Sequence, residues 1–180
     1  MTRAVFLDRD GVLNEAIVRD GRPHPPANLA ELRVTEGAAE ALTRLKAAGF
    51  LLIVVTNQPD VGRGTQSRYA VEEMNLALTR VLPLDEFVVC FHDGREPCAC
   101  RKPEPGMVLD AAARHAIDLA RSFLIGDRWR DIDCGYAAGA RTVWIDRGYR
   151  ERGPAHPPDY RCGSLSEAAA WILEEAHEAR

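Results

Sequence analysis

No apolar stretch of this chain is long enough to span a bilayer, and its first residues lack the apolar core of a secretory signal. No membrane association is expected, and a cytoplasmic location is. Positive charge is also scarce. The 23 Lys and Arg stand against 27 Asp and Glu, for a formal net charge of −4. That balance gives no basic footprint, so no nucleic-acid partner is expected. There is no internal repeat, no low-complexity tract and no domain boundary. What is present is an ordinary globular composition, 46% hydrophobic and 28% charged, over 180 residues. That length suits one domain with a full core, here 1–180, expected as a monomer.

Cysteine breaks the plain pattern. A cytoplasmic chain rarely forms disulfides, yet this one has 5 cysteines. The count is odd, and three of them fall inside the short run Cys90-Phe91-His92-Asp93-Gly94-Arg95-Glu96-Pro97-Cys98-Ala99-Cys100. Cys90, His92, Cys98 and Cys100 make a Cys₃His set, sufficient for closed tetrahedral Zn²⁺. Gly94 and Pro97 let the chain fold back between the two pairs. Four protein ligands leave no open position for water, so the expected role is structural. Such a site pins the loop that carries Arg101 and Lys102.

Apolar runs alternate with helical periods. Strands are expected at Ala4 to Leu7, Leu51 to Thr56, Phe87 to Cys90, Ser122 to Ile125 and Thr142 to Ile145. They are continuously apolar, as parallel strands covered on both faces are. Helix faces are read at Ala38, Ala41, Leu42 and Leu45, stopped at Gly49, and at Val71, Met74, Leu78 and Val81. Two more lie at Val108, Ala111, Ala112 and His115, and at Leu165, Ala168, Ala169, Ile172 and Leu173. Ser164 and Glu167 form a capping box for the last. The alternation predicts an α/β three-layer sandwich with a parallel, Rossmann-like sheet and no large cap domain. Pro-rich stretches at Arg22 to Pro26 and Gly153 to Pro158 read as surface loops, the first bordering the site.

Four pieces carry chemistry, each after an apolar run. Asp8 and Asp10, in Phe6-Leu7-Asp8-Arg9-Asp10-Gly11, set two carboxylates at the end of the first strand. They would repel unless a cation such as Mg²⁺ lay between them. One can attack phosphorus while the other moves a proton. Thr56, in Val55-Thr56-Asn57-Gln58, offers a hydroxyl to a phosphate oxygen. Lys102, in Arg101-Lys102-Pro103, can neutralise phosphoryl charge. Asp127, in Ile125-Gly126-Asp127-Arg128-Trp129-Arg130-Asp131, completes an acidic metal set with Asp8 and the backbone carbonyl of Asp10. Asp131, one helical turn on, reads as a cap or a support. Cys134 and Trp144 read as core and strand residues. Cys162, His24 and His156 sit in loops or termini without partner spacing.

In this order the four pieces resemble the haloacid dehalogenase superfamily of phosphatases, from Ala4 to Asp146. The resemblance implies that Asp8 is the nucleophile that becomes an aspartyl-phosphate and Asp10 the general acid/base. It further implies that Thr56 and Lys102 bind phosphate and Asp127 ligates Mg²⁺. The cysteine loop joined to Arg101-Lys102-Pro103-Glu104-Pro105-Gly106-Met107 is similar to one subgroup, the heptose 1,7-bisphosphate and histidinol-phosphate phosphatases. Asn14 and Asn57, inside matching motifs, are then expected at the substrate with Arg63 and Arg101. Arg101 would hold a second phosphate by a bidentate contact. The implied substrate is a small phosphorylated sugar, a heptose 1,7-bisphosphate cut at C7 on the route to nucleotide-activated heptose. The alternatives are histidinol phosphate in histidine biosynthesis, and a zinc-stabilised binding module without catalysis. Three departures from the subgroup stand out: a short cysteine loop, Arg128 where Lys is common, and Phe91 where Pro is common.

Overall fold

The computed structural model describes residues 2–178. Strand β1 (Arg3–Leu7) leads into a small antiparallel hairpin, β2 (Ile17–Arg19) and β3 (Arg22–His24). Then follow α1 (Ala38–Ala47), β4 (Phe50–Asn57), the short α2 (Pro59–Gly62), α3 (Arg68–Val81) and β5 (Glu86–Cys90). After the cysteine loop come α4 (Gly106–His115), β6 (Phe123–Gly126), α5 (Trp129–Ala138), β7 (Arg141–Ile145), β8 (Tyr160–Cys162) and α6 (Leu165–Glu178). Six strands form one sheet in the order β5-β4-β1-β6-β7-β8, every neighbouring pair parallel.

Alternation along the central strand builds two cores. Val5 and Leu7 point to one face and pack with α1 and α6 through Ala38, Leu42, Leu45, Ala168 and Ile172. Ala4 and Phe6 point to the other and meet Met107, Val108 and Ala111 of α4 and Cys134 of α5. The layers are therefore helix, sheet, helix, as expected. Gly49 ends α1 at φ +86°, a conformation that glycine adopts without a Cβ penalty. Ser164 Oγ accepts from Glu167 N at 3.2 Å, which is one half of the expected capping box; the return bond shifts by one residue, Glu167 Oε2 accepting from Gly163 N at 3.2 Å. No helix among the described residues is long and apolar enough to cross a membrane.

Several sequence expectations are corrected. Residues Arg22–His24 are not loop but the second hairpin strand. Cys162 lies in an edge strand and is buried, because β8 pairs with β7. Val81 is 57% exposed, since the apolar face of α3 turns away at its last residue and Asn75 takes a buried place instead. His115 stands at the rim and meets Glu86 Oε2 at 2.6 Å, which draws it out of the apolar face of α4.

Candidate active site

In a parallel sheet every strand delivers its carboxyl end to the same edge. Asp8 follows β1, Thr56 is the penultimate residue of β4, Lys102 follows β5, and Asp127 follows β6, so four distant segments converge. Lys102 Nζ lies 3.0 Å from Asp8 Oδ1 and 2.6 Å from Asp131 Oδ1, and donates to Val55 O at 2.8 Å. Lys102 is one of only two lysines in the chain. Asp131 also accepts the Arg128 N–H at 3.0 Å, which caps α5. Capping and support, the two roles read for Asp131, are therefore both present.

Asp10 is held on both oxygens. Its Oδ1 accepts from Arg9 Nε at 3.1 Å and Asn14 Nδ2 at 3.0 Å, and its Oδ2 accepts from Gln58 Nε2 at 2.8 Å. Gln58 Nε2 also donates to Thr56 Oγ1 at 3.0 Å. Arg9 is fully buried, with Asn75 Oδ1 accepting its remaining fork at 3.0 Å. Asn57 and Lys102 exchange two bonds at 3.0 Å, Asn57 Nδ2 to Lys102 O and Lys102 N to Asn57 Oδ1. These bonds fix the lysine loop on β4.

Burial dominates the electrostatics. It raises the Asp8 carboxyl to about 6, against the pull of Lys102 and with help from Asp131 and Asp10. Burial, then the charges of Asp8 and Asp131, hold Asp127 well above the usual carboxylate range. Lys102 loses stability as a cation through burial, but the carboxylates of Asp131 and Asp8 outweigh that and leave its pKa raised. Oxygens of Asp8, Asp127 and Asp131 all lie within 4.8 Å of one another, and Asp127 Oδ1 is buried with no hydrogen-bond partner. Such a crowd of carboxylates with an orphaned oxygen fits a hard divalent cation.

The second donor set is equally close. Sγ of Cys90 and Cys100 are 3.0 Å apart, Cys98 and Cys100 3.8 Å, and His92 Nδ1 lies 3.1 Å from Cys100 Sγ and 3.5 Å from Cys90 Sγ. All four ligand atoms fall within 4.8 Å of one another. Burial, then the neighbouring thiols, push the Cys100 thiol up to about 12. To ionise side by side, sulfurs so crowded would need a cation among them, and three sulfurs with one imidazole nitrogen suit zinc.

A cleft of about 650 Å³ opens over Asp8 and Asp10, bordered by Lys102, Asn57, Arg63 and, as expected, the hairpin residues Arg22 to Pro25. Asn14 is fully buried and grips Asp10 from below. Arg101 lies outside the residues that line this cleft; its Nη1 donates to His92 O at 3.0 Å. Arg9, Gln58, Asn75 and Tyr149 are contributors to which the sequence reading gave no role. Gln58 stood inside the Thr56 motif, and its position beside that hydroxyl was the available signal.

Fold and site define a phosphoryl-transfer hydrolase of the HAD type. A family model described as HAD-hydrolase-like matches residues 99–168. The D-glycero-beta-D-manno-heptose-1,7-bisphosphate 7-phosphatase of Pasteurella multocida is 37% identical over 164 residues, 82% of this chain and 84% of that protein. The protein of the same name from Escherichia coli K12 is 37% identical over 182 residues, covering 94% and 87%. The crystal structure of D,D-heptose 1,7-bisphosphate phosphatase from B. bronchiseptica, complexed with magnesium and phosphate, superposes with a TM-score of 0.83 at 29% identity, over 97% of this chain and 100% of that one. The chain belongs to the HAD-like hydrolase family, on the branch formed by these phosphatases.

Proposed function

We propose that this chain is a Mg²⁺-dependent phosphatase that works through an aspartyl-phosphate on Asp8 and removes the C7 phosphate of D-glycero-D-manno-heptose 1,7-bisphosphate, on the route to nucleotide-activated heptose. The whole chain, 1–180, serves as one hydrolase domain, monomeric and cytoplasmic. The relatives' names support the substrate. The observation that carries the chemistry is the pairing of Asp8, gripped by Lys102, with Asp10, held open to the same cleft by Arg9, Asn14 and Gln58.

An Asp8 oxygen attacks phosphorus, and the bond to the leaving oxygen breaks as Asp10 gives that oxygen a proton. Asp10 then takes a proton from water, whose oxygen attacks phosphorus and releases phosphate and the Asp8 carboxylate. Lys102 and Thr56 hold the charge on the phosphoryl oxygens. Mg²⁺ bound by Asp8, Asp127 and the Asp10 backbone carbonyl supplies further neutralisation of that charge. Zn²⁺ in Cys90, His92, Cys98 and Cys100 has a structural role, keeping the Lys102 loop in place.

The charge of the cleft favours a bisphosphate over histidinol phosphate. A cationic amine and imidazole would call for free carboxylates at the mouth. The two acidic groups there are already paired, Asp60 with Arg63 at 3.0 Å and Glu151 with Arg128 Nε at 3.0 Å. Arg22, Arg130 and Arg150 line the same cleft, and no carboxylate pairs with them among the described residues. Arg101 would have to leave the His92 carbonyl to reach a second phosphate; these three already face the cleft. The deciding measurement is kcat/KM on heptose 1,7-bisphosphate and on histidinol phosphate side by side. A preference for histidinol phosphate overturns the substrate assignment and leaves the phosphatase reading in place. Arg101→Ala and Arg130→Ala, each assayed on the bisphosphate and on p-nitrophenyl phosphate, assign the second phosphate. Loss of one bidentate contact should lower the bisphosphate value about ten- to hundredfold and spare the small ester.

A further inference from the structure

The segment after β7 straps the site from behind. Arg147 Nε and Nη2 donate to Gly11 O at 3.2 and 3.0 Å, Arg150 N donates to Gly21 O at 2.8 Å, and Glu151 pairs with Arg128. Between them Tyr149 Oη donates to Asp127 Oδ2 at 2.8 Å. We propose that Tyr149 is a positioning residue for the cation site, holding Asp127 so that one defined oxygen is offered to Mg²⁺; this rests on the reading of Asp127 as a ligand.

Three observations converge on it. The phenol occupies Oδ2, while Oδ1 is buried without a partner and is therefore the oxygen left to ligate. The carboxylate and the phenol meet over the bare Cα of Gly11: a Cβ there would lie 1.7 Å from Asp127 Oδ2 and 3.1 Å from the Tyr149 hydroxyl, so only glycine admits this arrangement. The backbone is pinned as well, because Trp144 Nε1 donates to Asp127 O at 3.1 Å. A ligand oriented before the ion arrives loses less freedom on binding it, and groups that orient a ligand in this way typically change metal affinity ten- to hundredfold when removed.

Tyr149→Phe keeps the ring and removes the hydroxyl. Titration calorimetry of the full chain with MgCl₂ should show the Mg²⁺ dissociation constant raised about tenfold or more. The unfolding temperature without Mg²⁺ should stay close to wild type. An Mg²⁺ affinity within about twofold of wild type overturns the proposal, and so does a fall in metal-free stability with unchanged affinity, the mark of a purely structural hydroxyl. Asp127→Asn is run beside it. If that variant binds Mg²⁺ like wild type, the cation reading itself fails. If it loses Mg²⁺ while Tyr149→Phe does not, only the role of Tyr149 falls.

Discussion

Lys102 and Asp131 form a buried ion pair, Nζ to Oδ1 at 2.6 Å, with side chains only 2% and 1% exposed. Removing one partner of such a pair leaves an under-compensated charge in a dry site. Asp131→Ala should lower unfolding free energy by about 3 kcal/mol, because the α5 cap is lost along with the pair. It should also slow turnover on every phosphate ester alike, since Lys102 loses the group that fixes it beside Asp8. Urea unfolding and kcat on two unrelated esters check both; a loss under about 1 kcal/mol would contradict the buried-pair account.

Asp8→Asn should abolish turnover and still fold. An amide is a poor nucleophile, and burial already disfavours the charged form of Asp8. Metal-free stability at pH 7.5 should therefore hold or rise. Asp10→Asn should be severely impaired, because proton transfer in both steps runs through that carboxyl. Rapid phosphate release by folded Asp8→Asn protein would rule out the aspartyl-phosphate.

Stability should depend on pH in a defined direction. Asp8 titrates at about 6 in the fold against an ordinary 3.8, chiefly through burial. The folded chain holds that proton more tightly than the unfolded chain, so the contribution is full below about pH 4 and is lost as pH rises through about 6. Mg²⁺ binds the ionised form and competes with the proton. Thermal melts with and without Mg²⁺ should show a larger metal-induced rise at pH 7.5 than at pH 5. Equal rises at the two values would argue against Asp8 as a ligand.

Metal analysis of purified protein should find about one zinc per chain. Replacing Cys98 and Cys100 together by Ser should remove it, lower the melting temperature and reduce activity through the loosened Lys102 loop. Mg²⁺ should be needed for activity separately. Zinc-free protein of full stability and activity would refute this role for the cysteine loop.

Much of the site was legible because the sheet did the assembling. Asp8, Thr56, Lys102 and Asp127 each follow an apolar run, and parallel strands bring such positions to one edge whatever their separation in the chain. Arg9 was not legible: a charge between two aspartates reads as solvated, yet Asp10 and Asn75 satisfy it and it is fully buried. The β2–β3 hairpin escaped because its strands are three residues long, mostly polar or exposed, and carry Pro23. The edge strand β8 has the same shortness, with Arg161 exposed at its centre. Tyr149 sits in a polar connection without periodicity, so only three-dimensional proximity to Asp127 reveals it.

The strand order β5-β4-β1-β6-β7-β8 has a consequence for timing. The strand that leads to Asp8 precedes every other strand of this sheet in the chain, yet it belongs in the middle of the sheet. Its neighbour β4 can dock early, but β6 is made only after α4. Until then the nascent chain presents a bare apolar strand edge along Val5, Phe6 and Leu7, the side that β6 will cover. Asp8 can join Asp127 only once translation has passed Gly126.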